Sequence, residues 1–164
     1  MTQRSLIRSL RQHHAIEHAT IALLGDQLPG VPLMGRSDLR GFILVGKVEA
    51  SAVRSAAGEA LARLKAGEKG LAIHPNCGTN LVAAGVLTGV AALAAAGGRR
   101  RSILERVPSA ILGATLALMV AAPVGRWLQA NVTTEGEVGG LEIAGVTRLS
   151  GGPITSYRVA IRAA

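Results

Sequence analysis

The chain predicts an α+β fold: a small metal-binding α/β domain, a two-helix transmembrane hairpin and a C-terminal β segment. Three observations lead there. Apolar residues recur at helical spacing over 5–24 and 50–66, and alternate at strand spacing near 42–48 and again after 132. The segments 81–96 and 107–125 carry no charged residue. Aromatic residues make up only 2% of the chain, against 49% hydrophobic residues and 21 glycines. That composition builds a soluble core poorly and suits helices packing closely in lipid.

Ser5 to Leu24 reads as an amphipathic helix with Ile7, Leu10, Ile21 and Leu24 on one stripe, and His14, Glu17 and His18 fall on that stripe. Gly25 and the run Pro29-Gly30-Val31-Pro32 end it. Gly35 to Arg40 reads as a polar turn and Gly41 to Val48 as a strand. Ala50 to Ala66 is a second amphipathic helix with Val53, Ala57, Leu61 and Leu64 on one face, closed by Gly67 and Gly70. Leu71-Ala72-Ile73 reads as a short strand entering His74-Pro75-Asn76-Cys77-Gly78-Thr79-Asn80. The two uncharged segments are near the roughly 20 residues that span a bilayer. Trp127 follows them where an interfacial anchor is expected, and the tail from 132 alternates as two or three strands. The expected division is 1–79 for the metal-binding region, 80–127 for the hairpin with a basic loop at 97–106, and 128–164 for a β-rich tail packing with the first region.

The net charge is +8, from 18 Lys and Arg against 10 Asp and Glu. Its densest cluster, Arg99, Arg100, Arg101 and Arg106, lies between the two uncharged segments. A membrane surface accounts for a short basic loop in that position. Nucleic acid is not expected as a partner, because stacking aromatics, a Cys-rich finger and a long basic helix face are all missing. The single Cys77 excludes an intrachain disulfide and a Cys-only zinc knuckle. Arg4, Arg8 and Arg11 interrupt any hydrophobic region of a signal peptide. The small-residue pattern Gly85-Val86-Leu87-Thr88-Gly89 is compatible with a homo-oligomer.

The chemistry starts on the first helix. Residues four apart share a face, so His14 and His18 can direct ring nitrogens at one ion while Glu17 stands beside it. This is the order of the inverzincin motif HxxEH, in which the Glu is general base toward a metal-bound water. Solvated polar residues on a helix surface are the alternative. That alternative sits poorly with three residues interrupting an apolar stripe, because burying them is costly unless they are paired or ligated. His13 lies about a third of a turn from His14 and reads as a surface residue or a support for the ligands.

His74 and Cys77 can bite a metal from a turn made by Pro75 and Gly78. Alternatively Thr79 or Asn80 caps the apolar helix there, and both readings can hold together. With His14, His18, His74 and Cys77 all bound, a zinc site is closed and structural. With only one of His74 and Cys77 bound, a water takes the fourth position and Glu17 can activate it. A general base beside a ligand has little purpose in a closed site, which favours the open one. Cys77 at a helix N-terminus is also a candidate nucleophile, with His74 or His18 as its base. A strand edge beside a metal can align an extended peptide, and the strand after Arg40 is placed to do so. Arg40 and Asn76 are then candidate substrate-binding residues, although a turn salt bridge on a solvated loop explains Arg40 equally well.

The blocks Gln12-His13-His14-Ala15-Ile16-Glu17-His18-Ala19-Thr20, Gly35-Arg36-Ser37-Asp38-Leu39-Arg40-Gly41-Phe42 and His74-Pro75-Asn76-Cys77-Gly78-Thr79-Asn80 resemble an uncharacterised family of small bacterial membrane proteins, a domain of unknown function. A second such family looks distantly similar through His-Gly-Ala-Glu-His and His-Pro-Arg-Cys-Gly-Thr blocks. Its first block has one residue fewer between the leading His and the Glu, which sets Glu17 and His18 above His14 as shared positions. The resemblance covers residues 12 to about 127 and implies membrane association and a linked function for the two His-bearing blocks.

The expectation is thus a membrane-anchored zinc-dependent hydrolase, a metallopeptidase acting on a peptide or protein, in a bacterial inner membrane. Its orientation stays open: the arginine loop asks to be cytoplasmic, yet a basic N-terminal region would then need translocating. A non-catalytic metal-stabilised membrane scaffold and a Cys77-nucleophile hydrolase are the alternatives.

Overall fold

A computed structural model describes residues 3–97, 102–152 and 154–164. Arg99, Arg100 and Arg101, expected in the hairpin loop, lie outside the described residues. The elements run α1 (Gln3–Gln27), β1 (Leu33–Asp38), β2 (Gly41–Gly46), α2 (Ala50–Lys65), a 3-10 turn (Lys69–Ala72), α3 (Gly78–Ala96), α4 (Ile103–Leu128), a π-helical turn (Gln129–Thr133), β3 (Leu141–Ser150) and β4 (Thr155–Ala163). They form two compact units: the chain up to His74 with Ala130–Ala164, and Pro75–Gln129.

The first unit is α+β. Its antiparallel sheet has the order β1-β2-β4-β3, so β2 is flanked on both sides. Phe42 opposes Val159 and Leu44 opposes Tyr157. The period of two in a strand therefore brings all four to one face. That face receives α1 and α2: Ile16, Leu24, Phe42, Leu44, Val53 and Val159 are fully buried. Ala56, Ala57 and Ala60 are also fully buried and let α2 approach closely. The Tyr157 hydroxyl, buried in this core, donates to Val48 O at 2.9 Å, so its burial leaves no lost hydrogen bond.

Three expectations need correction here. The polar stretch 35–40 is mostly β1, with only Leu39 and Arg40 in the turn. It lacks apolar alternation because Gly35 and Ser37, two apart on one face, meet a carboxylate rather than the hydrocarbon core. Leu71-Ala72-Ile73 is not a strand: Leu71 N–H bonds Glu68 O and Ile73 N–H bonds Gly70 O, both at 3.1 Å, closing a local turn. The α1 stripe is also broken, since Ile7 and Leu10 are 55% and 41% exposed. The packing partners of α1 cover it from Gln12 onward, and they cover its polar side too. There Glu135 N–H donates to Arg11 O at 3.0 Å and Gln12 Nε2 to Glu137 O at 2.5 Å.

The second unit is a helical pair. Ser102 and Glu105 form a capping box at the start of α4, satisfying N–H groups that a helix start leaves open. A Cβ added at Gly113 would lie 2.8 Å from Ala91 O, and one at Gly125 would lie 3.2 Å from Asn80 Cα. Later residues of one helix thus face earlier residues of the other, so the helices run antiparallel with small residues at their crossing. Large side chains point outward: Leu81, Leu93, Leu104 and Met119 are 73–86% exposed, while Ala83, Ala117 and Ala121 are buried. Both helices are long and apolar enough to cross a membrane. Trp127, near the end of α4, is exposed.

Candidate metal centre

Helical periodicity brings His14 and His18 together on α1, with ring centroids 4.2 Å apart and planes inclined at 62°. One ring nitrogen of each lies within 4.8 Å of one of the other. His74, where the first unit's chain leaves the 3-10 turn, brings a third imidazole within 5.8 Å of His18, centroid to centroid. His18 is 2% exposed and Glu17 5%.

Backbone carbonyls set how the two α1 histidines are oriented. His18 Nδ1 lies 2.6 Å from Ala72 O, and His14 Nδ1 lies 3.0 Å from Thr133 O. A carbonyl oxygen only accepts, so each Nδ1 carries the proton and donates it. In the neutral rings the lone pair then resides on Nε2, the arrangement in which a histidine ligates a metal through Nε2 while its other nitrogen is held. The carbonyls come from the turn Lys69–Ala72 and from the turn after α4, segments far apart in sequence. His13 follows the same pattern: it is buried, not a surface residue, and its Nδ1 donates to Asp38 O at 2.7 Å.

Glu17 faces β1. Its Oε2 accepts a hydrogen bond from the Ser37 hydroxyl. At Gly35 an added Cβ would fall 2.6 Å from Glu17 Cδ and 2.7 Å from Cγ, so glycine is what leaves room for the carboxylate. Asp38, one residue after Ser37, ties the hairpin down: its carboxylate accepts from Arg40 N–H at 2.8 Å and pairs with Arg158 at 2.6 Å. Burial works to raise the Asp38 pKa, but the Arg40 N–H, the Arg158 guanidinium and His13 outweigh it, and the carboxyl sits below its usual value. The Asp38 salt bridge in this turn is therefore with Arg158, while the Arg40 side chain is exposed.

Asn76 and Cys77 belong to the second unit. Asn76 is exposed. Cys77, rather than Thr79 or Asn80, is the N-cap of α3, its Sγ accepting Thr79 N–H at 3.4 Å. Asn80 instead braces the preceding turn, donating to Pro75 O at 2.6 Å and accepting from Gln129 Nε2 at 2.8 Å.

The strand after Arg40 does not present an edge. β2 pairs with β1 on one side and β4 on the other, so its backbone groups are taken and the open edge on the Glu17 side belongs to β1. Sequence reasoning passed over Gly35, Ser37, Ala72 and Thr133. Only the first two left a signal, the spacing of two between small residues in a block rich in polar ones.

Chemically, the first unit offers three imidazoles, two with their tautomer set, beside a buried carboxylate. Imidazole nitrogens suit divalent transition metals, and His14 and His18 each place a ring nitrogen in a group whose ligand atoms lie within 4.8 Å of one another.

Over residues 9–146 the chain matches a family described as a domain of unknown function (DUF6391). It is 34% identical over 134 residues to an uncharacterized protein of Picosynechococcus sp., covering 76% of this chain and 65% of that protein. The chain thus spans less than two thirds of that relative's length. No solved structure matches it. The matched stretch runs from α1 into β3 and takes in both histidine blocks, and on that extent the chain belongs to the DUF6391 family.

Proposed function

We propose that this protein is a membrane-anchored, zinc-dependent hydrolase, most specifically a peptidase, with His14, His18 and the His74–Cys77 segment as its metal-binding residues. The observation that carries the reading is the pair of Nδ1-to-carbonyl hydrogen bonds on His14 and His18. With Nδ1 donating, the neutral ring of each carries its lone pair on Nε2, the nitrogen through which a histidine held in this way ligates a metal. Zinc suits a set of imidazole nitrogens with a thiolate, and the ion supplies Lewis-acid chemistry toward water and a substrate carbonyl. Glu17 would take the proton from water and return it to the leaving amine, with Ser37 holding the carboxylate in place. Cys77 enters as a ligand on its donor chemistry and on its place three residues after His74. Support for anchoring comes from α3 and α4, whose large apolar side chains face outward.

A metal-stabilised scaffold is the second reading. It is favoured by Glu17 already accepting a hydrogen bond from Ser37, an arrangement that also suits a purely structural carboxylate.

Metal analysis of detergent-purified protein, paired with Glu17→Gln, separates the two. The hydrolase reading expects bound zinc in both proteins and peptide hydrolysis in the wild type alone. Zinc in both with no hydrolysis in either supports the scaffold, and metal-free protein overturns both.

A further inference from the structure

The two edges of the sheet differ. β3 pairs with β4 through two register shifts, between Ile143 and Gly145 and between Arg148 and Ser150. Such bulges twist an edge away from further pairing. β1 runs opposite β2 from Leu33 to Asp38 without any shift. A regular edge is a template for another strand.

The direction of its backbone groups follows from the hairpin. Arg40 O accepts from Ile161 N–H at 3.0 Å and so points toward β4. Strand residues alternate, so Gly41 points back to its partner Asp38, and Asp38, Arg36 and Met34 spend their N–H and C=O groups on β2. Leu33, Gly35 and Ser37 turn theirs outward, with no backbone partner among the described residues. The same two residues, Gly35 and Ser37, meet Glu17 on the strand's inner face.

We propose that the outer edge of β1 binds an extended, unfolded segment of polypeptide by strand addition, which draws a peptide bond of that segment alongside Glu17. The proposal deepens the hydrolase reading and rests on it for the fate of that bond, but not for the binding itself. Recognition through Leu33, Gly35 and Ser37 is by main chain, so it tolerates many side-chain sequences and excludes folded proteins and N-substituted backbones. A second copy of this chain is the less suitable occupant. Antiparallel pairing of two such short edges would bring two Arg36 side chains onto one small ribbon, and like charges on a paired ribbon repel.

The test uses Glu17→Gln protein in detergent with zinc, titrated against a short fluorescein-labelled peptide of Ala, Ser, Thr and Val and read by anisotropy. A copy of the peptide N-methylated at alternate amides, in each of the two phases, is the control. Saturable binding that one methylated phase weakens about tenfold or more supports the proposal. Equal binding of all three peptides, no binding, or a dimer that excludes the peptide overturns it. Wild-type protein separates the two claims. Binding without cleavage retains the docking edge and removes the hydrolase, while cleavage indifferent to N-methylation does the reverse.

Discussion

The Ser37 hydroxyl donates a hydrogen bond to Oε2 of Glu17, joining β1 to α1 across 20 residues of sequence. Two residues earlier on the same strand, Gly35 leaves the space in which that carboxylate lies. Position and clearance are therefore supplied by one strand to one side chain.

Gly35→Ala should destabilise the protein by about 1–3 kcal/mol, the usual cost of forcing a methyl into filled space. The cost should nearly vanish in a Glu17→Ala background, where the colliding atoms are gone. Denaturant unfolding of the four proteins of this cycle measures the coupling. Additive effects would show that the two positions do not meet.

Metal removal should lower the melting temperature, and the effect should follow mass action. Each tenfold rise in free zinc above saturation should add about 1.4 kcal/mol of stability. His18→Ala should abolish that dependence, because its ring is both buried and held by Ala72 O. A melting curve indifferent to zinc and to chelator would count against the site.

Asp38 governs an acid limb. Its carboxyl pKa is depressed in the folded chain, so its contribution to stability is complete above the unfolded value of about 3.9 and disappears as pH falls through the folded value. Asp38→Asn should therefore flatten the loss of stability below about pH 4 and lower stability at neutral pH. Melts at a series of acid pH values read both effects.

In the helical pair, Gly113→Leu places a side chain where a Cβ alone would stand 2.8 Å from Ala91 O. The helices should separate, at a cost of about 1–3 kcal/mol. Gly85→Leu, at a position with open space around its Cβ, should leave the pair intact. Unfolding of each variant in bicelles distinguishes them.

Several of these elements were legible in the chain alone. Helical spacing located α1 and α2, the absence of charge over 81–96 and 107–125 located α3 and α4, and the spacing of His14 and His18 put two imidazoles on one helical face. Each is a local property, written in the periods of 3.6 and 2 or in composition. What supports the site was decided by tertiary structure. The acceptors for His14 and His18 are main-chain carbonyls of Thr133 and Ala72, and a carbonyl looks the same at every position in a sequence. The stretch 35–40 read as a turn because its inner face serves a carboxylate instead of a hydrocarbon core. Whether a strand is an edge depends on which strands pair, and a β4 drawn from the far end of the chain placed β2 inside the sheet and left β1 outside. Local pattern set the donors, and long-range pairing set their orientation and their access.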